Sequence, residues 1–458
     1  MPSDVLQLPI VLPAVLVPVD VVAVVLVLVT VFGPRGRAKD AGATDHPVRR
    51  RRDRGVPAVL VRIAAIAVGA GIGLVAVWWF GDVQDRFGVS FTAVTRMWVA
   101  FTVAAVLLFL VVLVQGGNGR RIVGLGAALA VALTAGLGIN VDFGAYRTIG
   151  EAVTPNPYPI GTLDHQHAAR PGARVVDAAT WTAPEGMPDR GRTIAVRIPA
   201  TVSHFHARPA VVWLPPAAQV ADPPTLPVLV ALSGQPGQPA DMFQTGRLGS
   251  FLDHYAAAHH GIAPIVVSPD QLGAPGHNPM CVDSRRLGRS ATYVMTDTVR
   301  WIHEHLDVAS GSAAWGIGGF SQGATCAVQF SSAYPEVFGT TLAISSELAP
   351  ANGDLEHTIA VGFGGSRPAY LRATPEALLA AHTPYHDHLT VFGYGEDDAP
   401  YEASTLALRA ASERAGIATT LIVSPGSAHD WNTVRYVLGH GLPTVIAHLG
   451  LPVDGIRR

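Results

Sequence analysis

The chain has 458 residues, of which 49% are hydrophobic and only 14% are charged. This composition is too apolar for an ordinary soluble protein, and the length allows more than one domain. The net charge of −2 argues against a dedicated nucleic-acid binder, because recognition of phosphates needs a basic face.

Four apolar runs near the N-terminus account for the excess of hydrophobic residues. They cover residues 10–32, 56–80, 97–114 and 122–139, and a helix of about 20 residues crosses the hydrocarbon core of a bilayer. We therefore predict a transmembrane region with four helices within residues 1–140, with the lipid bilayer as its partner. A cleaved signal peptide is the alternative for the first run, but no basic residue precedes that run.

The charges between the apolar runs predict the orientation. The first loop carries eight Lys and Arg residues between positions 35 and 54, and the third carries an arginine pair at 120–121. In the second loop two arginines are offset by two aspartates: Arg86, Arg96, Asp82 and Asp85. The positive-inside rule then places the first and third loops in the cytoplasm, where the basic loop meets anionic lipid. Everything after residue 139 lies outside.

Two charged residues fall inside the apolar runs. Arg62 is close enough to the basic loop for its side chain to snorkel towards that side of the membrane. Asp20 lies in the middle of the first run, and an intramembrane carboxylate is a candidate for a transport path. The sequence leaves open whether Asp20 has such a function.

The second half of the chain has a different pattern. Residues 141–185 are rich in Pro, Gly and Ala and predict an extracytoplasmic linker, and residues 186–458 predict a catalytic domain. Alternating strand and helix patterns predict an α/β-hydrolase fold with a mostly parallel sheet of about eight strands. The predicted strands are 194–198, 210–214, 228–232, 265–268, 313–317, 341–344, 389–394 and 420–423. The predicted helices are 240–259, 291–306, 321–334, 400–415 and 433–449.

The pentapeptide Gly319-Phe320-Ser321-Gln322-Gly323 stands where a predicted strand gives way to a predicted helix. A G-x-S-x-G sequence in this context is the nucleophile elbow, whose turn is so tight that side chains two positions before and after the serine would collide. We therefore predict Ser321 as the catalytic nucleophile.

A serine hydroxyl needs a base to remove its proton and a carboxylate to orient that base. In this fold the chain order is serine, acid, histidine. His429 follows the final predicted strand and is the predicted base. The acid is expected after the strand at 389–394, where three carboxylates are adjacent. Asp398 is preferred and Asp397 is the alternative; these acids also suit the start of the following helix.

Two backbone N–H groups are needed to stabilise the oxyanion of the tetrahedral intermediate. One is predicted to come from Gln322, directly after the nucleophile, and the other from Gln235 in the loop after the strand at 228–232. The alternative is that the Gly- and Pro-rich sequence around Gln235 is only a turn.

Cys281 and Cys326 are the only cysteines. Because both fall in the part assigned to the outside, we predict a disulfide between them; two unrelated buried thiols are the alternative.

Two histidine clusters lack the features of a metal site. The His-Glu-His sequence at 303–305 lies on a predicted helix, where residues i and i+2 point apart. His382, His386 and His388 are nearer to ligand spacing, but no set of Cys or Glu residues accompanies them. We therefore predict neither a metal ion nor a cofactor.

Taken with Ser321, Asp398 and His429, three sequences make residues 190–450 resemble the esterase D and mycolyltransferase family of α/β hydrolases. They are Ser233-Gly234-Gln235, Tyr334-Pro335-Glu336-Val337-Phe338-Gly339 and His429-Asp430-Trp431. The resemblance implies acyl transfer through a Ser-Asp-His triad. Gln322 stands where many members carry methionine, and the four membrane helices also depart from the family pattern.

The function expected from these features is that of a membrane-anchored, extracytoplasmic serine esterase or acyltransferase. Its expected substrate is an acyl ester, and the location favours a lipid or a cell-envelope glycolipid. The alternative is a membrane transport or sensor protein whose hydrolase-like domain only binds a ligand.

Overall fold

The computed structural model describes residues 3–33, 57–84, 89, 91–154, 156–163 and 172–453. It separates into two units, Met1–Ala152 and Val153–Arg458. The basic loop at 35–54, the charged pair Asp85 and Arg86, and residues 164–171 of the predicted linker lie outside the described residues.

The N-terminal unit contains the four predicted apolar helices, each long and apolar enough to cross a membrane. They are α1 (Pro13–Phe32), α2 (Ala58–Val77), α3 (Ala93–Gln115) and α4 (Asn118–Asp142), and α2 continues as a π-helix over Trp78–Val83. Two short helices, Ser3–Leu6 and Ile149–Val153, flank them. The predicted bounds of α3 and α4 were too short, because hydrophobicity marks only the apolar part of a helix that continues into polar residues.

Small residues hold α2 and α3 together. A Cβ atom at Gly69 would lie 2.7 Å from the Cα atom of Ala104, and one at Gly73 would lie 2.8 Å from the Cα atom of Ala100. The two backbones therefore approach as closely as glycine allows, which is a common form of packing between membrane helices.

The two intramembrane charges have different surroundings. Asp20 lines an otherwise mainly apolar cavity of about 370 Å³, together with Trp98 and Thr134. The Arg62 side chain is buried, and its guanidinium donates to the carbonyl of Val31 at 2.9 Å, at the end of α1 that precedes the basic loop. Arg62 thus binds the C-terminal end of α1.

The C-terminal unit is built on one sheet of eight strands. They are β1 (Arg192–Val196), β2 (Ala210–Leu214), β3 (Val228–Leu232), β4 (Ile265–Ser268), β5 (Trp315–Phe320), β6 (Thr340–Ile344), β7 (Leu389–Gly395) and β8 (Ala418–Ser424). Their spatial order is β1-β2-β4-β3-β5-β6-β7-β8. β2 runs antiparallel to both of its neighbours, and β3 to β8 are parallel. This is the predicted α/β-hydrolase fold.

The main helices of this unit are α5 (Leu248–Ala258), α6 (Val299–His305), α7 (Gln322–Ala333), α8 (Leu355–Gly362), α9 (Arg367–Arg372), α10 (Pro375–His382), α11 (Ala399–Arg414) and α12 (Trp431–His448). Shorter elements are the helices Asp241–Gln244 and Ser290–Thr292, the π-helix Tyr293–Thr298, the 3₁₀ turns Pro216–Gln219 and Ser312–Ala314, and a hairpin of Asp283–Ser284 with Gly288–Arg289. The helix predicted at 240–259 is broken at Arg247, whose φ is 59°. Helices α8 to α10 were not predicted.

Part of the predicted linker joins the sheet. The N–H of Ala195 donates to the carbonyl of Pro159, and the N–H of Gly161 donates to that of Ala195, both at 2.9 Å. This bridge covers the outer edge of β1.

The predicted site residues follow the carboxyl ends of the parallel strands. The carboxyl ends of β3 and β5 to β8 lie side by side, and the loops that follow these strands carry the predicted site residues.

Candidate active site

Ser321 occupies a strained turn between the end of β5 and the first residue of α7. Its φ is 57° and its ψ is −123°, and its N–H donates to the carbonyl of Ile344 on β6 at 2.9 Å. A non-glycine residue at positive φ is costly and is typical of functional turns. The turn therefore holds Ser321 at the carboxyl edge of the sheet.

The two glycines of the pentapeptide are required by close contacts. A Cβ atom at Gly319 would lie 2.5 Å from the carbonyl oxygen of Leu232, and one at Gly323 would lie 2.4 Å from the same oxygen. Real Cβ atoms do not approach backbone oxygens this closely, so both positions exclude any side chain. The pentapeptide thus has the packing that defines a nucleophile elbow.

His429 and Asp398 are joined by a hydrogen bond. The Nδ1 atom of His429 lies 3.0 Å from Oδ2 of Asp398, and both side chains are buried. When Nδ1 carries the proton and donates a hydrogen bond to this carboxylate, Nε2 is left unprotonated and can act as a base. The ring is also held by aromatic contacts, with centroids 4.7 Å from Phe320 and 3.9 Å from Tyr401.

The three adjacent carboxylates after β7 have three different environments. Asp398 pairs with His429, whereas Asp397 binds the turn before His429 through its backbone, donating from N to the carbonyl of Ser427 at 2.9 Å. The Glu396 carboxylate accepts a hydrogen bond from the N–H of Gly426 at 2.9 Å. Of the three, only Asp398 is hydrogen-bonded to the imidazole among the described residues.

Two N–H groups are available for an oxyanion. The backbone N–H groups of Gln235 and Gln322 donate to no described residue. The loop that carries Gln235 passes beside Ser321, since a Cβ atom at Gly234 would lie 3.4 Å from the Cβ of this residue. Arg208 supports this loop by donating to the carbonyl of Gly237 at 3.0 Å.

The loop after β4 is tied to the nucleophile helix by a disulfide. Cys281 and Cys326 are bonded, with their Cα atoms 5.5 Å apart, so the predicted bridge is present. The Gln322 side chain adds two polar links, since its Oε1 accepts from Gln271 at 3.2 Å and its Nε2 donates to Asn278 at 3.3 Å. These contacts explain why a polar residue occupies position 322.

Glu347 was not among the predicted site residues. It lies three residues after the end of β6. Thr325, one turn after Ser321 on α7, donates to its carboxylate at 3.3 Å. Burial raises the pKa of Glu347 to about 7. The available signal was a polar Ser-Ser-Glu sequence directly after a fully buried strand next to the nucleophile strand.

The candidate metal clusters have ordinary packing contacts. His303 stacks on Trp315 with centroids 4.7 Å apart, and Nε2 of His388 lies 3.0 Å from the carbonyl oxygen of Pro335. Within the described ranges, no three His, Cys, Asp or Glu side chains come together as a metal site.

Comparison with known proteins gives a family and one relative that aligns with most of the chain. The model of the family described as "Putative esterase" matches residues 206–420, which include Ser321 and Asp398. An uncharacterized protein of Corynebacterium glutamicum is 31% identical over 370 residues, covering 78% of this chain and 83% of that protein. The aligned share is larger than the C-terminal unit, so the similarity extends into the helical unit.

Two solved structures are similar to the C-terminal part at low identity. An S-formylglutathione hydrolase of Agrobacterium tumefaciens is 19% identical, with a TM-score of 0.47, over 57% of this chain and 95% of its own. A ferulic acid esterase of Anaeromyces mucronatus is 15% identical, with a TM-score of 0.44, over 63% of this chain and 100% of its own. Likenesses at this level carry no inference about the substrate.

Proposed function

This chain belongs to the esterase family of α/β hydrolases, and we propose that it is a membrane-anchored serine esterase or acyltransferase whose catalytic unit lies outside the cytoplasmic membrane. The observation that carries the proposal is the buried hydrogen bond between His429 and Asp398, in the same unit as the elbow that presents Ser321. An imidazole oriented in this way is what a serine nucleophile needs.

In the proposed mechanism His429 Nε2 takes the proton from Ser321 Oγ as this oxygen attacks the ester carbonyl carbon. The carbonyl oxygen becomes negative and accepts hydrogen bonds from the N–H groups of Gln235 and Gln322. His429 then gives its proton to the departing alcohol, and the acyl group stays on Ser321. Asp398 stabilises the imidazolium that exists between these two proton transfers.

The second half of the reaction removes the acyl group from Ser321. His429 deprotonates either water, which gives hydrolysis, or the hydroxyl of an acceptor, which gives acyl transfer. The oxygen so formed attacks the acyl carbon, and His429 returns its proton to Ser321 Oγ as the bond between this oxygen and the acyl group breaks. Both outcomes use the same acyl-enzyme and the same residues. A membrane location favours an acyl ester of a lipid or cell-envelope glycolipid as the substrate.

Three observations support the membrane anchor and its orientation. All four long helices expose many large apolar side chains, as is expected where lipid replaces water. The relative from Corynebacterium glutamicum is similar beyond the catalytic unit. The basic residues at 35–54 and 120–121 favour a cytoplasmic location for the first and third loops, and the one crossing after the third loop would then leave the catalytic unit outside.

The proposal is tested by labelling the full-length protein with a fluorophosphonate probe and by measuring hydrolysis of p-nitrophenyl butyrate. Ser321→Ala should lose labelling and lower kcat by about 10⁴-fold or more, because the nucleophile is gone. The control is Ser310→Ala, which removes an exposed hydroxyl of the same unit and should keep both signals. If the wild-type protein takes up no probe, the alternative of a ligand-binding module coupled to transport or sensing is favoured.

The orientation is tested separately with reporter fusions. A fusion within residues 34–55 should report a cytoplasmic location and a fusion at the C-terminus an external one. A cytoplasmic C-terminus would contradict the proposed location without affecting the proposed chemistry.

A further inference from the structure

Glu347 is a carboxyl group beside the nucleophile for which the proposed mechanism has no use. Phe320 on β5 pairs with Ile344 on β6, so Ser321 and Ser345 follow at matching positions on neighbouring parallel strands. Glu347 comes two residues later on the same edge of the sheet. Its position relative to Ser321 is therefore set by the sheet itself.

Thr325 fixes the Glu347 carboxyl group against the nucleophile helix. Its hydroxyl lies 3.0 Å from the backbone N–H of Glu347, which donates to it, and 3.3 Å from Oε2 of the same residue. The same hydroxyl lies 3.2 Å from the carbonyl oxygen of Ser321. One threonine thus connects Glu347 to the nucleophile, and the orientation of this carboxyl group is defined before any substrate arrives.

The second oxygen of the Glu347 carboxyl group, Oε1, is available to accept a hydrogen bond. Oε1 of Glu347 makes no hydrogen bond to any residue that the structure describes, and the side chain is only partly buried. No ion pair joins Glu347 to a described cation; Arg367 on α9 pairs with Glu356 at 3.5 Å. A partly buried carboxyl group with one unused oxygen gains free energy when it receives a hydrogen bond.

The strand order indicates which part of a substrate Glu347 would meet. The loop with the proposed oxyanion donor Gln235 follows β3, on one side of the nucleophile strand β5. Glu347, Asp398 and His429 follow β6, β7 and β8, which all lie on the other side. The departing alcohol takes its proton from His429, so the alcohol portion of an ester lies on the side where Glu347 stands.

We propose that Glu347 is a specificity-determining residue whose carboxyl group accepts a hydrogen bond from a hydroxyl on the alcohol portion of the ester substrate. This inference rests on the proposed serine esterase or acyltransferase function. It identifies the preferred substrates, or acceptors in the transfer reaction, as alcohols that carry a second hydroxyl group near the ester oxygen.

The ionisation of Glu347 gives this preference a pH dependence. Burial raises its pKa to about 7, while the hydrogen bond from Thr325 acts in the opposite direction. Tyr370 on α9 interacts electrostatically with the same carboxyl group, since burial, and then the charge of Glu347, raises the pKa of the Tyr370 hydroxyl. Arg367 acts on Tyr370 in the opposite direction. Above about pH 7 the carboxylate accepts a stronger, charge-assisted hydrogen bond.

The test uses two esters of the same shape, 2-hydroxyethyl butyrate and propyl butyrate, with the full-length protein in detergent. The measured quantity is the ratio of kcat/KM for the hydroxyethyl ester to that for the propyl ester. Any loss that both esters share cancels in this ratio. The wild-type ratio should exceed one and rise several-fold between about pH 6 and pH 8.

Glu347→Ala should lower the ratio about tenfold, since one hydrogen bond to a charged group is lost. Glu347→Gln keeps the shape and the contact with Thr325, so it should lower the ratio less and remove its pH dependence. The control is Glu376→Gln, an exposed glutamate of the neighbouring helix α10, which should leave both unchanged.

A ratio near the wild-type value in Glu347→Ala, or a pH dependence that survives in Glu347→Gln, would overturn this inference alone. If the wild-type protein shows no Ser321-dependent turnover of either ester, the proposed function fails and the inference fails with it.

Discussion

The two units of this chain differ in whether their large apolar side chains point inward or outward. In the C-terminal unit they are inside, as with Leu229 on β3, which is 2% exposed. In the N-terminal unit many point outward, as with Leu129 on α4, which is 63% exposed, while glycine and alanine fill the contacts between α2 and α3. The same residue type thus takes opposite positions in the two units, as the proposed lipid surroundings of the N-terminal helices predict. A helix surrounded by lipid gains nothing from hiding leucine, whereas a sheet in water does.

The two units also differ in the residues that they offer for the proposed chemistry. The described C-terminal unit holds the elbow and the His429–Asp398 pair, while the N-terminal unit holds one carboxylate, Asp20, in a mainly apolar cavity. If the helical unit only anchors the protein, changes in its interior should leave ester turnover intact.

The largest effect is expected from replacing a carboxylate by its amide. Asp398→Asn should lower kcat for p-nitrophenyl butyrate by about 10³- to 10⁴-fold, because the amide disfavours the tautomer of His429 that can act as a base. Asp397→Asn and Asp20→Asn are matched controls and should stay within about threefold of the wild type, since neither side chain would orient the imidazole. A large loss of kcat in Asp20→Asn would contradict a purely anchoring role and indicate that the helical unit takes part in the reaction.

A smaller effect is expected from the same truncation in the two units. Leu229→Ala should destabilise the C-terminal unit by about 2–5 kcal/mol, because it leaves a cavity in the core. Leu129→Ala should change the stability of the protein by less than about 0.5 kcal/mol, because its side chain faces the surroundings of the helices. The measurements are the temperature at which half of the esterase activity is lost and the amount of protein in the membrane fraction. Equal losses in the two variants would contradict the proposed lipid surroundings of α4.

The disulfide gives the next effect, in the unit that contains the active site. Replacing Cys281 and Cys326 together by serine should lower the free energy of unfolding by about 2–4 kcal/mol, because the bridge restricts the unfolded chain. Thermal inactivation of wild type with and without reductant should show the same loss, and the double variant should no longer respond to reductant. Free alkylation of both thiols in the native, unreduced protein would show that the bridge does not form.

The sequence by itself determined the features that depend on neighbours along the chain. Four apolar runs predicted α1 to α4, and alternating patterns predicted all eight strands of the sheet to within a few residues. The elbow was predictable because its glycines and serine lie within five consecutive residues and the turn leaves no room for Cβ atoms at Gly319 and Gly323. Helices α8 to α10 escaped prediction because each is short, and three turns of helix or fewer give little periodicity to recognise.

Only the tertiary structure decided which distant side chains meet. The sequence favoured Asp398 by position alone and left Asp397 as the alternative, and among the described residues the turn after β7 brings Asp398 to an imidazole 31 residues away. Glu347 gave no motif, yet the register of β5 and β6 places it beside the nucleophile helix. Arg62 was expected to reach towards the side of the basic loop, and the packing of α1 against α2 supplies its partner there, the carbonyl of Val31. Local patterns carry propensity and periodicity, whereas such contacts depend on register and packing between segments far apart in the chain.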